Sequence, residues 1–121
     1  MEVFSKLATF TDITSRLELP ITALDHILLP LGEHKVELAV TDSSGEPWIF
    51  CCCTRPQGHR KPCLRTGWLA FVRAKCLRVG DRISLHRLEG GAFRIEVRRR
   101  IDFMLFGNQI GEVDVPGRLT G

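Results

Sequence analysis

The sequence predicts an all-β barrel with helices at its ends. Three observations carry this: about seven short segments come close to alternating apolar and polar residues, turn-forming residues separate them at short intervals, and only two stretches show helical spacing. With 121 residues, 44% of them hydrophobic and 26% charged, the chain can build one ordinary core, and a single domain over residues 1–121 is expected.

The first strand is read from Glu2 to Thr9, and a polar connection from Asp12 to Arg16 leads to Leu17-Glu18-Leu19, which Pro20 ends. Thr22 caps an expected two-turn helix from Ala23 to Leu28, with Leu24, Ile27 and Leu28 as its buried stripe and Pro30 and Gly32 as its stop. Val36, Leu38 and Val40 alternate with Lys35, Glu37 and Ala39; a turn over Asp42-Ser43-Ser44-Gly45 then returns the chain as a second strand from Pro47 to Cys53. Trp68, Phe71, Val72 and Cys76 fall at i, i+3, i+4 and i+8, one face of a helix from about Gly67 to Leu77 whose other face carries Arg73 and Lys75. Val79-Gly80-Asp81 turns into a strand from Arg82 to Arg87, and Glu89-Gly90-Gly91 turns that strand back into Ala92 to Val97. Arg98, Arg99 and Arg100 read as a solvated edge after this strand, ahead of an apolar segment around residues 103–106 and a last strand from Ile110 to Val115.

Charge is separated along the chain. The first 46 residues hold eight acids against three bases, whereas the window from Pro47 to Gly80 has no acid and carries Arg55, Arg60, Lys61, Arg65, Arg73, Lys75 and Arg78. The net charge of +3 therefore understates the local field, which suits a polyanion. Pro56, Gly58 and Pro62 keep the most basic part out of a helix or central strand, so its side chains are expected to project from a loop.

Cys51, Cys52 and Cys53 are consecutive and point to alternate faces if they lie on a strand; the five cysteines read as small apolar side chains in a reducing compartment. A zinc site drawn from Cys53, His59 and Cys63 lacks both a familiar spacing and a fourth ligand, so no metal or other cofactor is expected. Trp48, Phe50, Trp68 and Phe71 stand at periodic apolar positions and are expected in the core rather than as stacking platforms for bases. Glu2 and Lys6 interrupt the N-terminus, and no segment approaches the roughly 20 apolar residues of a membrane span, so a soluble intracellular protein without a membrane partner is expected.

The order Phe4-Ser5-Lys6, Thr11-Asp12, Arg16-Leu17-Glu18-Leu19-Pro20, Asp42 to Gly45, Trp48-Ile49-Phe50, Gly67-Trp68, Phe71-Val72 and Leu77-Arg78-Val79-Gly80-Asp81 resembles the plant B3 DNA-binding domain, with a best-matching core over residues 3–100. The resemblance implies a seven-stranded open β-barrel with two short helices, the B3-type pseudobarrel, docking in the DNA major groove through two arms. Carried onto this sequence, the first arm is Thr11 to Arg16 and the second is Thr54 to Lys61. The first arm is shorter than in the subfamilies that bind auxin-response or seed-type elements, so their target sequences do not transfer. The pattern is nearer to divergent plant B3 proteins that consist of little more than this domain.

Arginine pairs with guanine O6 and N7, and glutamine with adenine N6 and N7, which makes Arg16, Arg55, Gln57 and His59 the candidates for base edges. Thr11, Thr14, Ser15 and Thr54 offer hydroxyls to bases or phosphates, and Lys6, Arg60, Lys61 and Arg65 are expected to clamp phosphates. The leading expectation is sequence-preferring double-stranded DNA binding by a plant nuclear transcription regulator, with other transcription regulators as candidate partners and no small-molecule substrate. The alternative is a protein-interaction module on the same barrel with weak or non-specific DNA binding. An enzyme is a third class, because the resemblance extends to recognition domains of some restriction endonucleases. Asp12, Asp81 and the four histidines nonetheless lie scattered among turns and strands without a nucleophile and base grouped together.

Overall fold

A single mixed sheet organises the chain; the computed structural model describes residues 1–29, 32–54, 61–103 and 109–115. Its strands are β1 (Glu2–Leu7), β2 (Leu17–Glu18), β3 (Lys35–Thr41), β4 (Pro47–Cys53), β5 (Cys63–Leu64), β6 (Arg82–Arg87), β7 (Phe93–Phe103) and β8 (Gln109–Asp114). Seven of them run in the order β1-β6-β7-β3-β4-β5-β2, and β8 pairs with the far half of β7. All pairs are antiparallel except β3 with β7, where Val40 and Thr41 lie beside Phe93 and Arg94. Two short helices, α1 (Phe10–Thr14) and α2 (Trp68–Lys75), complete the seven-stranded open barrel that the sequence predicts.

Alternation decides which face of each strand is buried. Leu38 and Val40 on β3, Phe50 and Cys52 on β4, Ile83 and Leu85 on β6, and Ile95 and Val97 on β7 point inward, where they meet Trp68 and Phe71 of α2. The aromatic centre is compact: the Phe50 ring lies edge-on to Trp68 and Phe71, each with centroids 5.5 Å away, and Trp48 is edge-on to Phe71 at 5.1 Å. The start of α2 approaches β4 so closely that residue 67 must be glycine: its φ is +86°, and a Cβ there would overlap the Ile49 carbonyl oxygen.

Three buried aspartates fasten the turns between these elements. Asp42 accepts from the Ser44 and Glu46 amides at 2.8 and 2.9 Å and from Trp48 Nε1 at 3.0 Å, and it pairs with Lys75 Nζ at 3.0 Å. Asp81 receives Arg99 through Nε at 3.1 Å and Nη2 at 3.0 Å, together with the Arg78 amide at 2.9 Å. Asp12 secures the first arm, as described below.

Burial pushes the Asp42 carboxyl up, but donation from Trp48, Lys75 and the Glu46 amide outweighs it and holds the group below the ordinary value of 3.8; Asp12 is likewise held low. A depressed folded-state value contributes stability that is complete above the unfolded-state value and is lost as pH falls through the folded one. Between about pH 4 and pH 2 the melting temperature of the wild type should therefore fall more steeply than that of Asp42→Asn. Parallel curves would remove Asp42 from the acid transition.

Several local expectations are corrected. The connection from Asp12 to Arg16 is largely helix α1, because Thr9 and Asp12 cap its start reciprocally: the Asp12 amide donates to Thr9 Oγ1 and the Thr9 amide to Asp12 Oδ2. The helix expected from Ala23 to Leu28 is a 3-10 turn over Ile21–Asp25 that follows Pro20, with no side-chain cap from Thr22. It buries Ala23, and Ile27 is buried just beyond it, while Leu28 is 74% exposed. On α2, Lys75 is buried rather than solvated, and Cys76 is exposed because it ends the helix in the left-handed region at φ 52°. The three arginines from Arg98 to Arg100 lie inside β7, not after it.

Candidate nucleic-acid interface

The first arm is built around the Asp12 carboxylate, which has no solvent exposure. Besides the Thr9 amide at 2.8 Å, it accepts from the Glu18 amide at 3.1 Å and pairs with Lys6 Nζ at 2.9 Å. The same lysine donates to the Glu18 carbonyl at 2.9 Å, and Trp68 Nε1 donates to the Asp12 carbonyl at 2.7 Å. Both ends of the arm are thus tied to the core, and the fold already occupies Lys6. Thr14 Oγ1 donates to the Phe10 carbonyl at 2.7 Å, and Ser15 and Arg16 both donate their amides to the Thr11 carbonyl. Thr14 and Ser15 are exposed; Thr11 and Arg16 are half-buried.

Two very short strands bring the arms together. β2 registers against β5, placing Leu17 opposite Leu64 and Glu18 opposite Cys63, and the Leu19 amide donates to the Pro62 carbonyl at 3.0 Å. β5 in turn pairs with β4, so the second arm leaves the sheet after Cys53 and rejoins it at Cys63, directly across from where it left. Glu18 consequently lies between the arms. Its carboxylate is 3.5 Å from Arg16 Nη2 and 3.6 Å from Lys61 Nζ, with all three side chains substantially exposed, so these are loose pairs worth about 0–1 kcal/mol each.

Of the second-arm candidates, Arg55, Gln57, His59 and Arg60 lie outside the described residues. Thr54 is buried, its amide donates to the His34 carbonyl at 2.8 Å, and its hydroxyl finds no partner among the described residues. Lys61 is exposed at the other end. Arg65 is exposed too, with Nε donating to Cys63 Sγ at 3.4 Å, a contact that raises the guanidinium pKa.

Two residues that the sequence reading did not single out belong to this surface. Glu18 is one; the other is Phe10, at the start of α1, whose ring is 72% exposed. The reciprocal cap written in Thr9 and Asp12 was the available clue, since it starts a helix at residue 10. Among the described residues, no group of histidine, cysteine, aspartate or glutamate side chains has the arrangement of a metal site. A wide groove on the outer face of β1, β6 and β7 brings Ser5, Ser84, His86 and Glu96 together, but Ser84 bonds Ser5 at 3.0 Å and His86 faces Glu96 at 3.9 Å.

The curled mixed sheet, with the short strands β2 and β5 paired at one edge, has the architecture of a DNA-binding family. The chain belongs to the B3 family: the profile described as B3 DNA binding domain matches residues 4–101. Auxin response factor 22 of Arabidopsis thaliana is 35% identical over 102 residues, covering 79% of this chain and 17% of that protein. Auxin response factor 3 of Oryza sativa subsp. japonica is 31% identical over 105 residues, covering 82% of this chain and 14% of its own length. The chain thus spans less than a fifth of the length of these relatives. Among solved structures, the Arabidopsis FUS3-DNA complex superposes with a TM-score of 0.69 at 23% identity, covering 82% of this chain and 98% of the other, a likeness of fold.

Proposed function

We propose that this chain reads double-stranded DNA in the major groove with sequence preference, as the recognition domain of a plant nuclear transcription regulator. The observation that carries the reading is the pairing of β2 with β5, which sets Arg16 of the first arm and Lys61 of the second on either side of Glu18. Membership of a DNA-binding family, rather than of an enzyme family, and the superposition on a protein solved with DNA support it.

In this reading Arg16, Arg55, Gln57 and His59 meet base edges, Thr11, Thr14 and Ser15 supply hydroxyls, and Arg60, Lys61 and Arg65 clamp phosphates; Thr54, expected among the hydroxyls, is buried at the base of the arm and makes no such contact. Lys6 takes a different part from the clamp first expected: bound to Asp12 and Glu18, it positions the first arm. A phosphate approaching the arms competes with Glu18 for Arg16 and Lys61, and the weakness of those exposed pairs keeps that exchange inexpensive.

Random-site selection followed by competition against random duplex tests the reading. Lys61→Ala should weaken selected and random duplexes alike and lower the magnitude of the slope of log K against log salt by about 0.9, the effect of one phosphate contact. Arg55→Ala should flatten preference at one position of the selected site, removing about 1–3 kcal/mol of discrimination, with a smaller loss on random DNA. Failure to select any site, or equal sequence-independent losses for both variants, would reduce the arms to an electrostatic patch and favour a protein-interaction module.

A further inference from the structure

We propose that Cys53 and Cys63 form a hydroperoxide-sensitive dithiol, closing to a disulfide across the base of the second arm and lowering the affinity of the paired arms for DNA. The effect on DNA rests on the function proposed above; the thiol chemistry does not.

Three sulfurs gather on one face of the sheet edge. Cys51 and Cys53 share a face of β4 with their Sγ atoms 3.4 Å apart, and Cys63 on β5 registers directly opposite Cys53. Opposed residues of an antiparallel ladder have Cα atoms about 4.5–5.5 Å apart. That lies within the roughly 4.4–6.8 Å a disulfide bridges, whereas two residues along one strand are separated by about 6.6 Å, near its limit. The cross-strand pair is therefore the one that closes. Cys52 faces the core with no exposure, its thiol pushed up to about 12 by burial, and it stays out of the reaction.

The two partners differ in surroundings. The exposed Arg65 directs Nε at Cys63 Sγ from 3.4 Å, so a cation faces the sulfur that meets the oxidant. Burial and the hydrogen bond with Cys51 push the Cys53 thiol up to about 11, which suits it to wait protonated as the resolving partner. The Cys63 thiolate attacks one oxygen of the hydroperoxide: an S–O bond forms, the O–O bond breaks, and the departing oxygen takes up a proton as water or alcohol. Sulfur is oxidised by two electrons to the sulfenic acid and the peroxide is reduced. Cys53 sulfur then displaces the sulfenic hydroxyl, which leaves as water with the thiol proton as the S–S bond forms.

The bond would act at the join between the arms. Cys63 is also the register partner of Glu18, and the neighbouring Pro62 carbonyl holds the Leu19 amide. A bond of fixed length at this register position reshapes the β4–β5 ladder and, through it, the β2–β5 pairing that places Lys61 beside Glu18.

The test uses the full chain, reduced and then treated with hydrogen peroxide, with intact mass, peptide mapping and affinity for a random-sequence duplex measured on the same sample. The expected result is the loss of two hydrogen masses, a Cys53–Cys63 cross-linked peptide, and an affinity lower by about fivefold or more that dithiothreitol restores. Cys51→Ser should still cross-link, and Cys63→Ser should lose both the cross-link and the response of affinity to peroxide. A Cys51–Cys53 bond, stepwise oxygen addition without a cross-link, or a Cys53–Cys63 bond with unchanged affinity would overturn the proposal. Should the reduced chain bind no duplex at all, the DNA reading and its switch both fall, while the peptide map still decides the dithiol chemistry by itself.

Discussion

Replacing Trp68 by alanine is expected to cost about 3–5 kcal/mol, a large part of the stability of a domain this size. The indole has no exposed surface, stacks on Phe71 with centroids 5.3 Å apart, and lies edge-on to Phe50. Its removal leaves a cavity bounded by the sheet and the first arm together, because Nε1 also donates to the Asp12 carbonyl at 2.7 Å. Trp68→Phe separates the two contributions: it keeps part of the ring packing and leaves that carbonyl unpaired, for about 1–3 kcal/mol. Urea denaturation of both variants, read beside DNA binding, checks the assignment. An alanine variant that unfolds like the wild type yet no longer binds DNA would transfer Trp68 from the core to the interface.

Local rules account for most of what was legible in the sequence. The hairpin of β3 and β4 declares itself through period-two alternation and the Asp42 to Gly45 turn, and α2 through the spacing of Trp68, Phe71 and Val72; neither needs distant information. Helix α1 has only five residues, too few for a period, and its one local mark is the cap formed by Thr9 and Asp12. β2 and β5 have two residues each, so the pairing that sets the arms side by side could not be read from alternation. The basic character of the second arm was plain from charge, and the resemblance supplied the first arm. The fate of Lys6 was hidden for another reason. A lysine on a strand reads as solvated until a buried carboxylate is placed beside it, and only the folded chain places Asp12 there.

The burial of Lys75 is hidden from the sequence for the same reason, and its replacement is the second change of large expected effect. On the helix it occupies a position that reads as polar, yet it is 1% exposed, with Nζ 3.0 Å from Asp42 and 5.7 Å from the centre of the Phe71 ring. Breaking a buried ion pair from one side leaves the other charge uncompensated, so Lys75→Ala should cost about 3–5 kcal/mol. Asp42 would retain the Ser44 and Glu46 amides and Trp48 Nε1 but lose the hydrogen bond and the charge of Lys75, both of which lower its pKa, so its carboxyl should titrate higher in the variant. Lys75→Met combined with Asp42→Asn should recover part of the loss, since the asparagine oxygen can still accept from the turn amides and the methionine fills the same volume without charge, while the asparagine NH2 leaves the Trp48 Nε1 donor without its acceptor. Urea unfolding of Lys75→Ala and of the double variant checks both expectations. If Lys75→Ala unfolds at the wild-type midpoint, or the double variant is no more stable than Lys75→Ala, the ion pair does not hold the β3–β4 turn to α2.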